Sequence, residues 1–258
     1  MNGSGRIHLG VNLLWLVPNV VGGSEEYAVR TLLAFLDREV PDIDVTVFAL
    51  ESFVDAHPEI AERVEVVTAA LGGGRRRPVR LAAESTWLAR EVRRRSIDLM
   101  HHVGGRMPAV RSGRTVLTVH DLQPLILPTN FGAVKSQYLR FAIPRSVRAA
   151  DMVVAPSEFV RDSLITHFEL PSERVVTVSA GYETPRLPSV NDPSVSPLAR
   201  SLLESGRPFF VYPAVTHPHK NHSTVLRAFA ALRDSDPVSY THLTLPTITS
   251  GCSWGGSA

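Results

Sequence analysis

The sequence predicts the α/β fold class, with a doubly wound parallel sheet followed by the start of a second domain of the same kind. Three observations predict it. Apolar runs of strand length alternate with amphipathic helical patterns along most of the chain. The first apolar run leads into the glycine pair Gly22 and Gly23 and then into a helical pattern. Two further strand-like runs end at His102 and directly before His120, and parallel sheets collect such strand ends at one edge.

Composition narrows the class of protein. The 258 residues are 44% hydrophobic and 20% charged, which is typical of globular proteins and excludes disordered and collagen-like chains. The 27 basic and 25 acidic residues give a net charge of +2, which does not indicate a nucleic-acid partner. The single cysteine, Cys252, excludes a disulfide framework. Because no apolar run approaches the roughly 20 residues that cross a bilayer, and the first residues lack signal-peptide order, a cytoplasmic protein is expected.

The elements up to residue 119 follow from hydrophobic spacing. Residues 7–17 form a nearly continuous apolar run, typical of a strand buried on both faces. Ser24 is the expected N-cap of the next helix, with Glu25 and Glu26 in its first turn. The apolar face of this helix comprises Val29, Leu32, Leu33 and Leu36. Further strands are expected at residues 45–50, 64–67, 97–102 and 115–119, and a basic amphipathic helix at 79–95.

The alternation continues to about residue 181. Residues 134–149 have a helical pattern that Pro144 is expected to kink or split. Ser157 is the expected cap of a helix that runs to about Phe168. Strands are expected on either side of that helix, at residues 151–155 and 174–178.

Four segments are predicted along the chain. Residues 1–183 form the first domain, and the proline-rich residues 184–206 form a linker that contains a short helix ending at Gly206. Residues 207–237 begin a second domain, with a strand at 209–212 and a helix from Ser223. One strand and one helix cannot bury a core of their own.

The last segment, residues 238–258, differs in composition from the rest. It contains no charged residue, and residues 238–247 resemble the translation of a transposon-type sequencing adapter. A natural Ser/Thr-rich tail is the alternative interpretation. We expect a non-native tail and a coding sequence cut near Pro237.

The glycine pair is the first candidate binding feature. Gly22 and Gly23 lie between the first strand and a helix N-terminus, where backbone N–H groups and the helix dipole favour a phosphate. Glu26 stands where a dinucleotide fingerprint would require a third glycine, which argues against a nicotinamide or flavin enzyme. A tight turn that requires a positive φ is the alternative.

The strand ends supply the next candidates. His120 and Asp121 follow a strand directly, in the crevice where open α/β sheets bind ligands, and His120 could hydrogen-bond a substrate hydroxyl or a phosphate. A structural His–Asp pair that closes a loop is the alternative. His101 and His102 also end a strand, and loop anchoring is their alternative role.

Residues 217–222 join the last strand to the last helix. Lys220 and the Asn221 side chain, just before a helix N-terminus, form an expected anion site for a diphosphate. A zinc site at His217, His219 and His222 is the alternative, although the spacing fits few zinc frames.

Two arginine clusters flank one predicted helix, at residues 75–77 and 93–95. Contact with anionic lipid or an anionic acceptor is one interpretation, and the solvated face of an Arg-rich protein is the other.

Taken in order, these motifs resemble the start of a GT-B glycosyltransferase of the family-4 type. The resemblance covers about residues 7–233. It includes the Gly22–Glu26 loop and helix, the Val119–Leu122 turn, residues 154–159 around Ser157, residues 175–182, and residues 212–221. It implies two Rossmann-like domains that face a cleft, the first for the acceptor and the second for a nucleotide sugar.

The resemblance also implies roles for individual residues. His120, with Asp121 beside it, matches the catalytic position next to the transferred sugar. Gly22, Gly23, Lys220 and Asn221 match the groups that bind the donor phosphates. His102, Ser157 and Glu158 are the expected acceptor or cleft residues. No metal and no cofactor are implied, since the nucleotide sugar is a substrate, and the anomeric configuration is retained.

Two departures from the family pattern are visible. His219 stands where many members carry an arginine, and the paired glutamates that hold the donor belong beyond residue 237. We therefore expect a hexosyl transfer to a glycan or lipid-linked acceptor in the parent protein, and an inactive, truncated chain here. Peripheral membrane contact is permitted, and nucleic acid is not an expected partner. A non-catalytic sugar- or phosphate-binding module is the alternative function.

Overall fold

A computed structural model of the chain describes residues 5–20, 22–38, 40–71, 77–181, 188–206, 209–212, 214 and 220–235, with the backbone alone at 77, 130, 233 and 235. The chain divides into two compact units, Met1–Gly181 and Tyr182–Ala258. The predicted zinc ligands His217 and His219 and the predicted tail at 238–258 lie outside the described residues.

The first unit is built on one parallel sheet of seven strands, which confirms the predicted fold class. The strands are β1 Ile7–Asn12, β2 Ile43–Leu50, β3 Glu65–Ala69, β4 Leu99–His102, β5 Arg114–Thr118, β6 Met152–Ala155 and β7 Val175–Thr177. Their order in the sheet is β3-β2-β1-β4-β5-β6-β7. The chain therefore reverses its direction of travel across the sheet between β1 and β4, the point where such sheets bind ligands.

Helices cover both faces of this sheet. They are α1 Gly23–Leu36, α2 Glu51–Ala56, α3 Pro58–Ala61, α4 Arg77–Ser85, α5 Trp87–Arg94, α6 Gln123–Ile126, α7 Ala133–Ala149 and α8 Glu158–Phe168. Short 3-10 turns occupy Pro128–Asn130 and Ser172–Arg174. The second unit contains α9 Pro197–Glu204 and α10 His222–Ser235. In the described ranges, no helix combines the length and apolar character of a membrane span.

The core consists of three apolar clusters that fix α1, α5, α7 and α8 on the sheet. The C-terminal halves of β1 and β2 are buried, and Val47 and Phe48 of β2 are 0% exposed. Gly10 of β1 is required by this packing, because a Cβ atom there would lie 2.3 Å from the Met100 sulfur. The predicted burial of the first strand on both faces is therefore found along its second half.

Several sequence predictions of element boundaries are wrong. The first strand ends at Asn12, not at residue 17, because the Asn12 side chain accepts a bond from Leu14 N (3.1 Å) and turns the chain. The helix predicted at 79–95 is two helices, interrupted at Thr86. Pro144 neither ends nor splits α7.

Two further corrections concern caps and the second unit. Ser24 does not cap α1, because Gly22 takes the N-cap position with φ of 62°. Residues 209–212 are not a strand in this structure, and their side chains are 44–68% exposed. A strand requires a neighbour to satisfy its backbone groups, and the described part of this unit supplies no sheet for it.

Candidate functional site

The reversal point between β1 and β4 is closed by a buried pair of side chains. Asn12 and His102 face each other in the register of these strands, and Asn12 Nδ2 lies 3.1 Å from His102 Nδ1. Since the Asn12 amide nitrogen donates, His102 Nδ1 accepts, and the ring is neutral. Burial, together with the nearby His101 and Arg106, lowers the pKa of His102 to about 3. His102 is 5% exposed, so its ring joins two strands here, and its cleft role stays a prediction.

The loop after β4 lies beside the end of β5. Gly105 N donates to Thr118 O at 3.1 Å, which fixes the loop against β5. Gly104 makes the loop fit, because a Cβ atom there would lie 2.6 Å from the Trp15 ring. The same loop carries Arg106, whose guanidinium forms a two-point ion pair with the buried Glu84 (Nη2 to Oε1, 3.1 Å). The ion pair of Glu84 and Arg106 therefore ties the loop after β4 to α4.

His120 follows β5 by two residues and is half-buried at this edge. Its Nε2 lies 3.0 Å from Val103 O, and a carbonyl only accepts, so Nε2 carries the proton. Burial lowers the pKa of His120, while the bond to Val103 and the charge of Asp121 oppose the shift. At neutral pH the ring is therefore uncharged, with Nδ1 as an accepting nitrogen.

Tyr27 covers the His120 ring, a contact that no pattern in the sequence predicts. The two rings meet edge-on, with centroids 4.8 Å apart and planes at 85°. The Tyr27 hydroxyl also bonds with the Thr118 and Thr31 side chains, and burial raises its pKa. No local signal marks Tyr27, since it lies outside the apolar stripe of α1 and its partner is distant in sequence.

Thr118 links Tyr27 to the histidine of the neighbouring strand. His101 Nε2 lies 2.8 Å from Thr118 Oγ1. Desolvation, with a smaller effect of His120, lowers the pKa of His101 to about 4. The edge formed by β4, β5 and α1 therefore carries three polar rings, at His101, His120 and Tyr27, none of them charged at neutral pH.

Asp121, predicted beside His120 as a catalytic residue, is exposed and caps a turn. Its Oδ1 accepts a bond from Gln123 N at 2.9 Å, at the start of α6. This bond fixes the direction of the chain after His120. The charge of the Asp121 carboxylate also opposes the lowering of the pKa of His120. Its catalytic role stays a prediction.

The glycine pair begins α1, as predicted for a strand–loop–helix unit. Gly22 O accepts bonds from Glu25 N (2.9 Å) and Glu26 N (3.4 Å), so the amides that an anion could meet are those of Gly22, Gly23 and Ser24. No atom would contact a Cβ at either glycine. The pair therefore leaves room for a ligand close to the backbone.

Two carboxylates lie in the first turn of α1, and both have partners. Glu25 Oε2 accepts from Asn19 N at 2.8 Å, and Oε1 lies 3.0 Å from His57 Nε2. Glu26 pairs with Arg30 at 2.7 Å. Glu25 is only 13% exposed, so it ties the glycine loop to the segment between α2 and α3.

Ser157 and Glu158 belong to the start of α8. Ser157 Oγ accepts from Val160 N at 3.3 Å, which confirms the predicted helix cap. Glu158 is exposed, with its carboxylate 3.9 Å from the Arg161 guanidinium. Their predicted place in an acceptor site stays a prediction.

Lys220 and Asn221 lie in the second unit, directly before α10. Tyr212 donates its hydroxyl to Lys220 O at 2.6 Å, and Asn221 has φ of 52°. Asn221 Oδ1 accepts from Ser223 Oγ (3.1 Å) and Thr224 Oγ1 (2.9 Å). The Asn221 side chain therefore organises the first turn of α10, and the Lys220 side chain is exposed beside it.

Metal binding finds no support in the described ranges, where no three His, Cys, Asp or Glu side chains form a group that could hold an ion. His222, the one described member of the predicted zinc set, has Nε2 3.2 Å from Ala214 O and its ring edge-on to Tyr212.

A protein-family model described as Glycosyltransferase Family 4 matches residues 21–186. The O-antigen chain mannosyltransferase RfbU of Salmonella typhimurium is 25% identical over 169 residues, which are 60% of this chain and 44% of the relative. The O-antigen chain mannosyltransferase B of Escherichia coli is 22% identical over 225 residues, which are 83% of this chain and 56% of the relative. The chain thus spans about half the length of these curated relatives.

Among solved structures, a glycosyltransferase from Rickettsia africae matches with a TM-score of 0.38 and 14% identity, over 67% of this chain and 43% of that one. MurG of Acinetobacter baumannii matches with a TM-score of 0.40 and 10% identity, over 69% and 47%.

Proposed function

The chain belongs to glycosyltransferase family 4, and we propose that it forms the acceptor-binding part of a retaining enzyme that takes its sugar from a nucleotide-sugar donor. The observation that carries the proposal is the uncharged His120 ring at the carboxyl edge of the sheet, with Nδ1 as its acceptor. Because both curated relatives are named as O-antigen chain mannosyltransferases, we propose a hexosyl group, mannose first, and a glycan or lipid-linked glycan acceptor.

His120 is proposed to bind a sugar hydroxyl. An imidazolium has two donors and no acceptor, whereas the neutral ring fixed by Val103 O accepts a hydroxyl hydrogen at Nδ1. The Tyr27 ring excludes water from one side of His120 and so favours the neutral form. Asp121 would stabilise positive charge on His120 during the reaction, because its charge raises the pKa of that ring.

Each unit is proposed to carry a phosphate-binding feature of its own. The amides of Gly22 and Gly23 at the start of α1 and the Lys220 ammonium before α10 offer positive charge to phosphate oxygens. The carboxylates of Glu25 and Glu26 in the same helical turn are bound by His57 and Arg30. The proposed chemistry uses no metal and no cofactor.

A second candidate function is a sugar-binding module without catalysis. It is favoured by the first unit, which carries the whole crevice around His120 within one compact body. For this chain alone we propose binding of acceptor glycan, and the transfer reaction is proposed for a protein of the relatives' length.

The test starts from the source DNA beyond the codon for Pro237. The complete reading frame read from that DNA is then expressed. The encoded protein is then assayed for transfer of labelled mannose from GDP-mannose to a lipid-linked glycan, with His120→Ala lowering the rate at least about a hundredfold. A frame that ends at Ala258, or transfer that is unchanged in His120→Ala, would leave the binding module as the better function.

A further inference from the structure

Thr118, the last residue of β5, joins two other elements through its side chain. It is fully buried and lies two residues before His120. Its Oγ1 lies 2.8 Å from His101 Nε2 on the neighbouring strand β4, and the same side chain bonds with the Tyr27 hydroxyl of α1. Its backbone oxygen accepts a bond from Gly105 N at 3.1 Å. Thr118 therefore connects β4, the loop after it and α1 at the point where the chain reaches His120.

The Thr118 hydroxyl can satisfy both of its side-chain neighbours. A hydroxyl donates one hydrogen and accepts at its lone pairs. Burial lowers the pKa of His101 to about 4, so the ring is neutral at neutral pH, and its Nε2 either donates to Thr118 or accepts from it. In both cases the Thr118 oxygen can complete a bond of the opposite direction with the Tyr27 hydroxyl. The three groups form one hydrogen-bonded chain from β4 to α1.

The position of the Tyr27 ring depends on its hydroxyl. Burial raises the pKa of this hydroxyl, and its bonds are with Thr118 and with the exposed Thr31. A hydroxyl that stays buried after it loses a partner is destabilised, whereas one that turns toward water is not. Without the Thr118 hydroxyl, the Tyr27 hydroxyl is therefore expected to turn outward. This would move the ring whose centroid lies 4.8 Å from that of His120.

We propose that Thr118 is a positioning residue of the proposed sugar-binding site, whose hydroxyl holds the Tyr27 ring edge-on against His120 and thereby keeps His120 Nδ1 an acceptor for a sugar hydroxyl. The role rests on the proposed function where it concerns the sugar, but the hold of Thr118 on Tyr27 is measurable without one. Three titratable groups contact or influence His120 from the surrounding elements, namely Tyr27 of α1, His101 of β4 and Asp121 of the following loop. Thr118 bonds with the first two of them.

A second buried threonine provides a matched control. Thr46 of β2 is 1% exposed, and its Oγ1 lies 2.8 Å from His8 Nε2 on β1 and 3.4 Å from a Glu65 carboxylate oxygen. Its residue type, burial and bond to a histidine nitrogen match those of Thr118. His8, however, lies near the amino end of β1, whereas His120 follows the carboxyl end of β5. Loss of the Thr46 hydroxyl should therefore lower stability without affecting His120.

The first test measures the pKa of His120 without sugar, by NMR titration of the histidine Cε1–H signals of the whole chain. Thr118→Val should raise the pKa of His120 toward its ordinary value, because the displaced Tyr27 ring admits water. Thr118→Ser keeps the hydroxyl and should retain the wild-type pKa, and Thr46→Val should retain it as well. Urea unfolding should show comparable losses of stability in Thr118→Val and Thr46→Val. The pKa of His120 then separates positioning from a general loss of stability.

A double variant isolates the role of the Tyr27 hydroxyl. When Tyr27→Phe is added to Thr118→Val, position 27 carries no hydroxyl that needs a partner, so the pKa of His120 should return to its wild-type value. The double variant still lacks the partner of His101 and should not regain the lost stability. Thr31→Val lies at an exposed position, where substitutions have little effect on folding. It should leave the pKa of His120 unchanged, because Thr118 still holds Tyr27.

Binding of a mannose oligosaccharide gives the second readout, and Thr118→Val should weaken it about fivefold while Thr46→Val should not. The proposal is overturned if Thr118→Val leaves the pKa of His120 unchanged, if Thr46→Val raises it equally, if Tyr27→Phe does not reverse the rise, or if Thr31→Val alone raises it. A wild-type chain that binds no oligosaccharide, in which Thr118→Val still raises the pKa of His120, would reject the sugar-binding function and confirm that Thr118 positions His120.

Discussion

The Tyr27 ring meets the His120 ring edge-on at 4.8 Å, and this contact joins the glycine loop to the end of β5. Tyr27 lies in the second turn of α1, a helix that begins at the glycine pair. The loop that is proposed to bind phosphate therefore also positions the ring that covers His120, the proposed sugar-binding histidine. Burial is the largest cause of the lowered pKa of His120. Because Tyr27 contributes to this burial, we expect it to affect the protonation state of His120, on which the proposed function depends.

Removing this cover should raise the pKa of His120. Tyr27→Ala admits water to the ring and weakens the desolvation that disfavours the imidazolium, so the pKa should move up toward its ordinary value. Tyr27→Phe keeps the ring and loses only the hydroxyl, and should leave the pKa nearly unchanged. NMR titration of the histidine Cε1–H signals measures both. A His120 pKa that is the same in Tyr27→Ala and wild type would show that Tyr27 does not control it.

The histidines that end β4 should make the fold sensitive to acid. Their pKa values of about 4 and about 3 in the folded chain lie below the ordinary 6.5, so the unfolded chain binds more protons between these limits. Above pH 6.5 both histidines are neutral in the folded and the unfolded chain, and their contribution to the free energy of unfolding is complete. This contribution falls as the pH is lowered, and at pH 4 the loss for His101 is about 3 kcal/mol. Urea unfolding across this range should show a smaller pH slope in His101→Gln. His167→Gln, which removes an exposed histidine, should keep the wild-type slope.

Glu25 should contribute more to stability than its neighbour Glu26. Glu25→Ala removes the bonds to Asn19 N and His57 Nε2 and should lower the free energy of unfolding by about 1–3 kcal/mol. Glu26→Ala removes one exposed ion pair and should change it by less than about 0.5 kcal/mol. Denaturant titration of both variants provides the comparison. Equal losses would contradict the assignment of Glu25 as the anchor of the glycine loop.

The buried ion pair of Glu84 and Arg106 should be sensitive to the loss of one partner. Although burial works in the other direction, the Glu84 carboxylate raises the pKa of Arg106, and the Glu84 side chain is only 1% exposed. Glu84→Ala leaves the Arg106 charge buried and should lower the free energy of unfolding by about 3–5 kcal/mol. Replacing both, with Glu84→Leu and Arg106→Met, should recover part of the loss. A Glu84→Ala variant as stable as wild type would refute the anchoring role.

Local patterns predicted much of the first unit, because they report the environment of each element. The apolar run of β1, the Ser157 cap and the strand–loop–helix unit at Gly22 are local features, and the structure contains all three. The Ser24 cap failed because Gly22, with its positive φ, begins the helix earlier than a serine at position 24 requires.

The long-range contacts of the site were not predictable in the same way. His102 is buried because β4 pairs with β1, and this strand order is not written in the spacing of either strand. The Tyr27–His120 contact joins residues far apart in sequence, and the accepting role of Val103 O depends on the path of the loop after β4. The sequence predicted the correct edge of the sheet for His120 and Asp121. The groups that set the protonation state of His120 are visible only in the tertiary structure.

Glycan binding at His120 is the most direct test of the proposed function. The chain is titrated with a mannose oligosaccharide while the histidine Cε1–H signals are followed by NMR, in wild type, in His120→Ala and in the surface control His167→Ala. We predict that the His120 signal shifts with ligand, that affinity falls about tenfold or more in His120→Ala, and that the control binds like wild type. An oligosaccharide that binds equally well without the His120 ring, or leaves its signal unmoved, would contradict it.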